Sequence, residues 1–395
     1  MTSLSESHVP VLPLVESDIE EQIRAAVRDI CATFGEDYSR RCHDEGRPPT
    51  ELWTALGGAG FLGLNIAERW GGGGLGMAGL TLVAEETSAA GHSLVMLVVS
   101  SAINGSILSA HGTEEQKQCW LPGIADGTAP LAFAITEPDA GSNSHNLRTA
   151  LRRDGDGYRL SGQKVFISGV ESADAILVVA RFRDENGELG VPCLCVVDRD
   201  APGVTRTPIA MPYIGPDKQW QLFFDDVEVP IDRIIGAERG GLRAVFDGLN
   251  PERIIIAGLE NGIARRALAK AASYAGERTV WKAPIGTHQA VAHRLAKAKI
   301  DLELSQLMTK KAAVLFDTGA PGVGEAANIA KYSAAEAAIH SVEASIQTHG
   351  GNGFTLEYGI SDMWWMARLM RTAPVSADMV LNFVAEHMLG LPKSY

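Results

Sequence analysis

A chain of 395 residues, 46% hydrophobic and 21% charged, has room for two or three domains and the composition of a protein that buries large cores. Its net charge of −13 argues against a nucleic acid held on a broad basic face, but not against an anionic small ligand held by a few local cations. The five Cys are scattered, apart from Cys193 and Cys195, which share one face of a strand-like run; an odd count without metal-ligand spacing reads as reduced, buried thiols and no metal.

The N-terminal stretch MTSLSESHVPVLPLVESDIEEQ is acidic and has no Arg before Arg24, so neither a signal peptide nor a transit peptide is expected, and the location expected is cytoplasmic. Asp18 can cap a helix running to about Cys42, and a second helix is expected from Pro49-Thr50 to Gly57-Gly58. WGGGGLG (70–76) is a loop that reads equally well as a connector or a ligand contact, and it lacks the Lys-Ser/Thr of a phosphate loop. Helices are predicted over 77–90, 93–111 and 113–125, the last opened by a Thr113/Gln116 capping box. The longest apolar run, Leu94 to Val99, is too short to span a bilayer, so no membrane partner is expected.

The texture changes at Pro130. LAFAI, YRLSGQKVFISG, AILVVARF, VPCLCVVD, GVTRTPI and WQLFFDDVEVP are short runs rich in β-branched and aromatic residues, separated by turn formers such as DGDG and DENGELG. They predict an antiparallel β domain. After Gly240 a period of 3.6 returns, with helices expected over 250–276, 288–318, 324–349 and 376–389 as a four-helix bundle. The fold class is α+β and multidomain: an N-terminal helical domain (1–128), a middle antiparallel β domain (129–239) and a C-terminal bundle (240–395).

One residue breaks the bundle pattern. Leu249, Glu252, Ile256, Leu259, Ile263, Ala267, Ala271 and Tyr274 recur at helical spacing, and only Glu252 is acidic. Asn250 reads as an N-cap and Pro251 as the first helical position, so Glu252 is either a dipole-complementing acid or a functional carboxylate on a core-facing stripe.

Several motifs together resemble the acyl-CoA dehydrogenases, flavoenzymes that introduce an α,β double bond into acyl thioesters. FAITEPDAGSN (133–143) resembles the family's flavin and substrate loop, QKVFISG (163–169) the next flavin contact, and FFDDVEVP (223–230) the exit strand of the β domain. RTVWKAPIGTHQ (278–289) and QTHGGNGF (347–354) resemble bundle motifs that reach a neighbouring subunit's flavin. The resemblance implies bound FAD, contacted by Phe133, Ile135, Thr136, Gly141, Ser142, Phe166, Ser168, Arg278, Gln289, Gln347, Gly350, Gly351, Ser376 and Asp378. The family more often has Trp and Thr where this chain has Phe166 and Ser168.

Most members carry their catalytic Glu at the position of Pro374, which has no proton-accepting group. A subset resembling isovaleryl- and long-chain-acyl-CoA dehydrogenases carries it on the first bundle helix before an Arg, which matches Glu252 and Arg253. The resemblance therefore implies that Glu252 abstracts the α proton of an acyl-CoA while hydride passes to flavin N5. Ser142, Asn250 and Arg253 would line the substrate. It further implies a homotetramer that passes electrons to an electron-transfer flavoprotein. A flavin oxidase or monooxygenase of the same fold, or a non-catalytic partner subunit of a hetero-oligomeric dehydrogenase, remain as alternatives at this point.

Overall fold

The structure, a computed structural model, describes residues 15–236 and 241–393. Helices come first: α1 (Asp18–Ala32), α2 (Tyr38–Asp44), α3 (Thr50–Gly58), α4 (Gly76–Ala90), α5 (Gly105–His111) and α6 (Glu114–Asp126). Ser17 rather than Asp18 caps α1: its Oγ accepts from the Glu20 N–H, and its own N–H donates to the Glu20 carboxylate at 2.7 Å. The helix expected to run to Cys42 stops at Ala32, because Gly35 turns the chain through a φ of +76° before α2 begins. The Thr113/Gln116 capping box is formed as expected.

Part of the helix expected over 93–111 is a π-helical segment, Leu97–Asn104, that runs into α5. Its position is fixed by polar bonds to the first strand. Asn104 Nδ2 donates to the carbonyls of Leu131 at 2.9 Å and Ala132 at 3.1 Å, and Ser100 Oγ accepts from the Leu131 N–H. The glycine-rich loop packs as a connector. Gly73, Gly74 and Leu75 donate to the carbonyls of Gly63, Ile66 and Leu64, and a Cβ on Gly72 would lie 2.1 Å from the Ile66 oxygen.

The strands are β1 (Leu131–Ala134), β2 (Ala150–Asp154), β3 (Gly157–Ser168), β4 (Ala175–Arg183), β5 (Leu189–Asp198), β6 (Val204–Ile209), β7 (Gln219–Val229) and β8 (Ile234–Ile235). They form one sheet in the order β6-β7-β3-β2-β4-β5-β8, with β1 also on β4. Most pairs are antiparallel as expected, but β1 and β2 both run parallel to β4, so the sheet is mixed. These two strands lie along one edge of β4, β1 on Ala175–Val178 and β2 on Arg181–Arg183. The segment between them must therefore leave the sheet and return, which makes residues 135–149 a loop at the sheet's edge.

The third part holds α7 (Gly241–Glu277), α8 (Gln289–Asp317), α9 (Val323–His349), α10 (Asp362–Met370) and α11 (Ala377–Phe383). The expected helix start at Asn250-Pro251 is corrected: α7 begins earlier, and Pro251 lies inside it. The tertiary packing of a long apolar stripe outweighs the local cost of an internal proline. That stripe is buried from Ile256 through Leu259, Ile263, Ala267 and Ala271. The helix expected over 376–389 is present as α11 continued without a break by a π-helical segment, Val384–Met388, and at this length it is far shorter than α7, α8 and α9. A fourth long helix, α4, packs against α7 and α8. Gly258 and Gly262 let α4 approach α7 so closely that a Cβ would meet the Thr81 and Glu85 carbonyl oxygens at 2.7 and 2.3 Å. Buried Glu85 and Glu86 on α4 bind Arg24 of α1 and Arg265 of α7, locking three helices together. No described helix is long and apolar enough to cross a membrane.

Candidate active site

The loop at the sheet edge is built around a buried ion pair that sequence reasoning missed. Lys164 of β3 is fully buried, and its Nζ donates to the Glu137 carboxylate at 2.8 Å and the Ile135 carbonyl at 2.9 Å. Glu137 also accepts from the backbone N–H groups of Arg148 at 2.7 Å and Thr149 at 3.0 Å. Burial alone would raise the Glu137 carboxyl, but Lys164 and these donors hold it below the ordinary value. Burial lowers Lys164 to about 8 in spite of its partner. One carboxylate thus pins both ends of the loop and leaves Gly141 and Ser142 at its exposed tip.

The same bonds bring the second motif alongside. The Val165 N–H donates to the Thr136 carbonyl at 3.0 Å, and the Thr136 hydroxyl donates to the Val165 carbonyl. Phe166 follows at a φ of +59° and is 59% exposed. This left-handed backbone conformation is uncommon for a residue with a large side chain, and it leaves the Phe166 ring accessible beside the loop. Ser168 exchanges hydrogen bonds with Gln219. Phe133 is buried in β1, and Ile135 and Thr136 are half-buried at its exit.

A second group gathers where the bundle helices end. Tyr274 stacks on His349 at 4.3 Å between ring centres, and Asn352 Nδ2 donates to the Tyr274 hydroxyl at 3.2 Å. This joins the end of α7 to the turn after α9 and sets Arg278, Gln289, Gln347, Gly350 and Gly351 on exposed surface. A Cβ at Gly350 or Gly351 would meet nothing within 4 Å, so their backbone is open to a ligand.

The third group surrounds Glu252. Arg253 donates to Asn250 Oδ1 at 3.2 Å, and among the described residues no cation stands within salt-bridge distance of Glu252. Enclosure raises its carboxyl to about 7, against the opposing pull of Arg253 and Lys331. Lys331, on α9, is fully buried and donates to the Val375 carbonyl at 2.5 Å. It therefore links the charge facing Glu252 to the turn that contains Pro374. Ser376 caps α11 by accepting from the Met379 N–H, and Asp378 is exposed in that helix's first turn. Lys331 has a signal in the sequence: it falls on the Ala327–Ala330–Ala334–Ala338 stripe of α9, as Glu252 does on α7.

A separate cleft of 280 Å³ opens beside Ile263 and Arg266, roughly 16 Å along α7 from Glu252. Its cations are already paired: Arg40 with Asp362 at 2.6 Å, Arg266 with Glu36 at 2.8 Å and Lys270 with Glu36 at 2.9 Å. It is a salt-bridged seam between α2, α7 and α10 and not part of the candidate site.

The exposed Phe166, the open Gly350-Gly351 backbone and the exposed Arg278 suit a flavin nucleotide, which needs a stacking wall, close backbone donors and a cation for its pyrophosphate. Comparison with known proteins agrees. Profiles described as the acyl-CoA dehydrogenase N-terminal, middle and C-terminal domains match residues 17–128, 132–227 and 239–389. The chain is 51% identical over 383 residues to acyl-CoA dehydrogenase FadE12 of Mycobacterium tuberculosis, covering 96% of this chain and 98% of that one. It is 30% identical over 375 residues to the probable acyl-CoA dehydrogenase YngJ of Bacillus subtilis, covering 94% and 98%. Butyryl-CoA dehydrogenase from Megasphaera elsdenii superposes with a TM-score of 0.89 at 26% identity, covering 95% of this chain and 100% of that one. A glutaryl-CoA dehydrogenase from Mycobacterium smegmatis, solved in complex with FADH2, gives 0.88 at 26% identity, covering 96% of each. With profiles for all three domains matched in order, the chain belongs to the acyl-CoA dehydrogenase family.

Proposed function

We propose that this chain dehydrogenates an acyl-CoA at the α and β carbons with Glu252 as the base, in the manner of the family subset that carries its Glu on the first bundle helix. The chain is an acyl-CoA dehydrogenase, an oxidoreductase, and FAD is its cofactor. One observation carries the choice of base: Glu252 is an enclosed carboxyl without a salt bridge, raised to about 7, on the helix that faces the Pro374 turn through Lys331.

The chemistry asks for this. An α proton of a thioester is weakly acidic, so the base must be desolvated and the carbonyl polarised. Enclosure meets the first need. For the second, Pro374 has no N–H, and the Val375 N–H, which donates to no acceptor among the described residues, is the donor we assign to the thioester oxygen. Asn250 holds Arg253 away from Glu252, so the base stays free while both residues line the thioester end. Ser142, at the exposed loop tip, meets the substrate from the β side. Bound FAD supplies the acceptor for the electrons that leave with the β hydrogen. Phe166 and Ser168 flank it, together with Phe133, Ile135, Thr136 and Gly141. Ser376 and Asp378 approach it from the start of α11. Arg278, Gln289, Gln347, Gly350 and Gly351, exposed at the bundle end, contact the flavin of a second subunit in a homotetramer. An electron-transfer flavoprotein takes up the electrons, and the location is cytoplasmic.

The test is anaerobic bleaching of the flavin by a panel of acyl-CoAs, beside Glu252→Gln. The variant should bleach at least about a hundredfold more slowly while keeping its flavin. Bleaching at the parental rate would remove Glu252 as base. Reoxidation of the reduced enzyme by an electron-transfer flavoprotein should outpace reoxidation by dioxygen; the reverse order would make the chain an oxidase.

A further inference from the structure

Two buried ionisable groups in the bundle, one of them the Lys331 that ties the Pro374 turn, take no chemical part in the mechanism above, and burial pushes the Glu260 carboxyl well above its ordinary value. Lys331 on α9 and Glu260 on α7 are both fully buried. Lys331 spends one donor on the Val375 carbonyl. Neither oxygen of Glu260 has a hydrogen-bond partner among the described residues, and no salt bridge joins the two side chains within 4 Å. A buried ion pair stabilises a fold only in close, well-bonded contact, and hydrophobic residues of similar volume usually do better. An uncontacted pair therefore needs a reason other than stability.

The surroundings supply one. The charged groups that act on Lys331 are Glu260, Glu252 and Arg253 from α7 and Glu336 from its own helix. Glu336 is engaged by Arg371 at 2.8 Å, which leaves the two acids of α7 facing the ammonium. One of them is the base, and the atom Lys331 grips belongs to the turn where the thioester carbonyl is polarised. We propose, resting on the assignment of Glu252 as base, that Lys331 is a positioning residue: it seats the 374–376 turn through the Val375 carbonyl and sets the charge opposite Glu252. In accord with this, burial lowers Lys331 only to about 8 because Glu260 and Glu252 oppose the desolvation.

The direction of the effect follows. Taking a cation away from a carboxylate disfavours its ionised form, so without Lys331 the Glu252 carboxyl titrates higher. Below its pKa the ionised fraction falls tenfold per unit, and the rate of proton abstraction falls with it. Lys331→Met on the FAD-loaded enzyme should move the acid limb of the bleaching rate up by roughly one pH unit. The carboxyl stretch of Glu252, isolated as the infrared difference between parent and Glu252→Gln, should titrate higher by the same amount, a readout that does not depend on turnover. Because Lys331→Met leaves Glu260 buried alone, the double variant Glu260→Gln/Lys331→Met removes the acid as well at similar volume and should show the same shift. A lower rate with an unmoved limb and an unmoved infrared titration would reduce Lys331 to a structural tie and overturn the proposal. If Glu252→Gln itself bleaches like the parent, the base assignment fails and the proposal falls with it. An inert Glu252→Gln beside an unmoved limb sinks the proposal alone.

Discussion

A carboxylate that takes a proton from carbon works best when its own affinity for protons is high, and Glu252, the base proposed above, has its carboxyl raised to about 7 by burial and makes no salt bridge among the described residues. Arg253, its neighbour in sequence, donates from one guanidinium nitrogen to Asn250 Oδ1. With the carboxyl raised to about 7 and the base needed ionised, flavin bleaching by substrate should fall as the pH drops through about 7, as stopped-flow traces across neutrality would show. The same shift costs stability. Glu252 binds a proton more tightly folded than unfolded, so its stabilising contribution is complete below the ordinary carboxylate range and lost as pH rises through about 7. Glu252→Gln should therefore melt above the parent in mildly alkaline buffer, with the gap closing in acid; calorimetry at two pH values decides it, and an equal gap at both would contradict the raised value. Glu252 was legible in the sequence because an acid on an apolar stripe is conspicuous. The Asn-Pro pair before it misled, since the same dipeptide signals a helix start and here sits inside a 37-residue helix held by packing. Glu260 and Lys331 could have been found by the same test of stripe against residue type.

At the scale of elements, the cofactor loop owes its shape to one buried pair. Lys164 and Glu137 lie on separate segments, β3 and the 135–149 loop, and Glu137 ties the loop's beginning to the backbone at Arg148 and Thr149. Lys164→Met leaves that carboxylate buried without its cation, which costs on the order of 3–5 kcal/mol. Urea denaturation should show this loss, and the variant should also purify with less bound flavin. Unchanged stability would mean that Glu137 is satisfied by its backbone donors alone. The pair is invisible to periodicity, because Lys164 alternates with neighbours in a run that reads as any strand. The parallel placement of β1 and β2 on β4 was hidden for a related reason. Alternation and turn residues mark where strands are, whereas which edge a strand joins depends on contacts far along the chain. Local signals were read unevenly: the Thr113/Gln116 box and α3 stand as expected, whereas Ser17 and not Asp18 caps α1, and Asn250-Pro251 starts no helix.

At the scale of the molecule, the bundle leaves apolar groups in water that a lone chain has no reason to expose. Ile300 and Leu304 on α8 are 60% and 61% exposed, Leu307 continues the same face, and Trp281, just before α8, is 91% exposed. Residues at i, i+4 and i+7 share one side of a helix, so this is a stripe and not a scatter. The face of α8 turned inward, toward α7 and α9, buries Ala298, Leu302, Ser305, Thr309, Ala312 and Ala313. A helix already buried along one face that still carries an apolar stripe along another offers that stripe to a further surface. The exposed residues assigned to the flavin lie at the ends of these helices, Gln289 beginning α8 and Gln347 near the end of α9. If a second subunit covers the stripe, it is also brought to those ends, and assembly and cofactor retention become one property. Ile300→Glu combined with Leu304→Glu should leave the helical circular dichroism unchanged, lower the mass seen by sedimentation, and lower the flavin content of the purified protein in the same proportion. A variant that keeps its full mass would show that the stripe is not the interface. One that dissociates yet keeps its flavin would confine the whole cofactor site to a single chain.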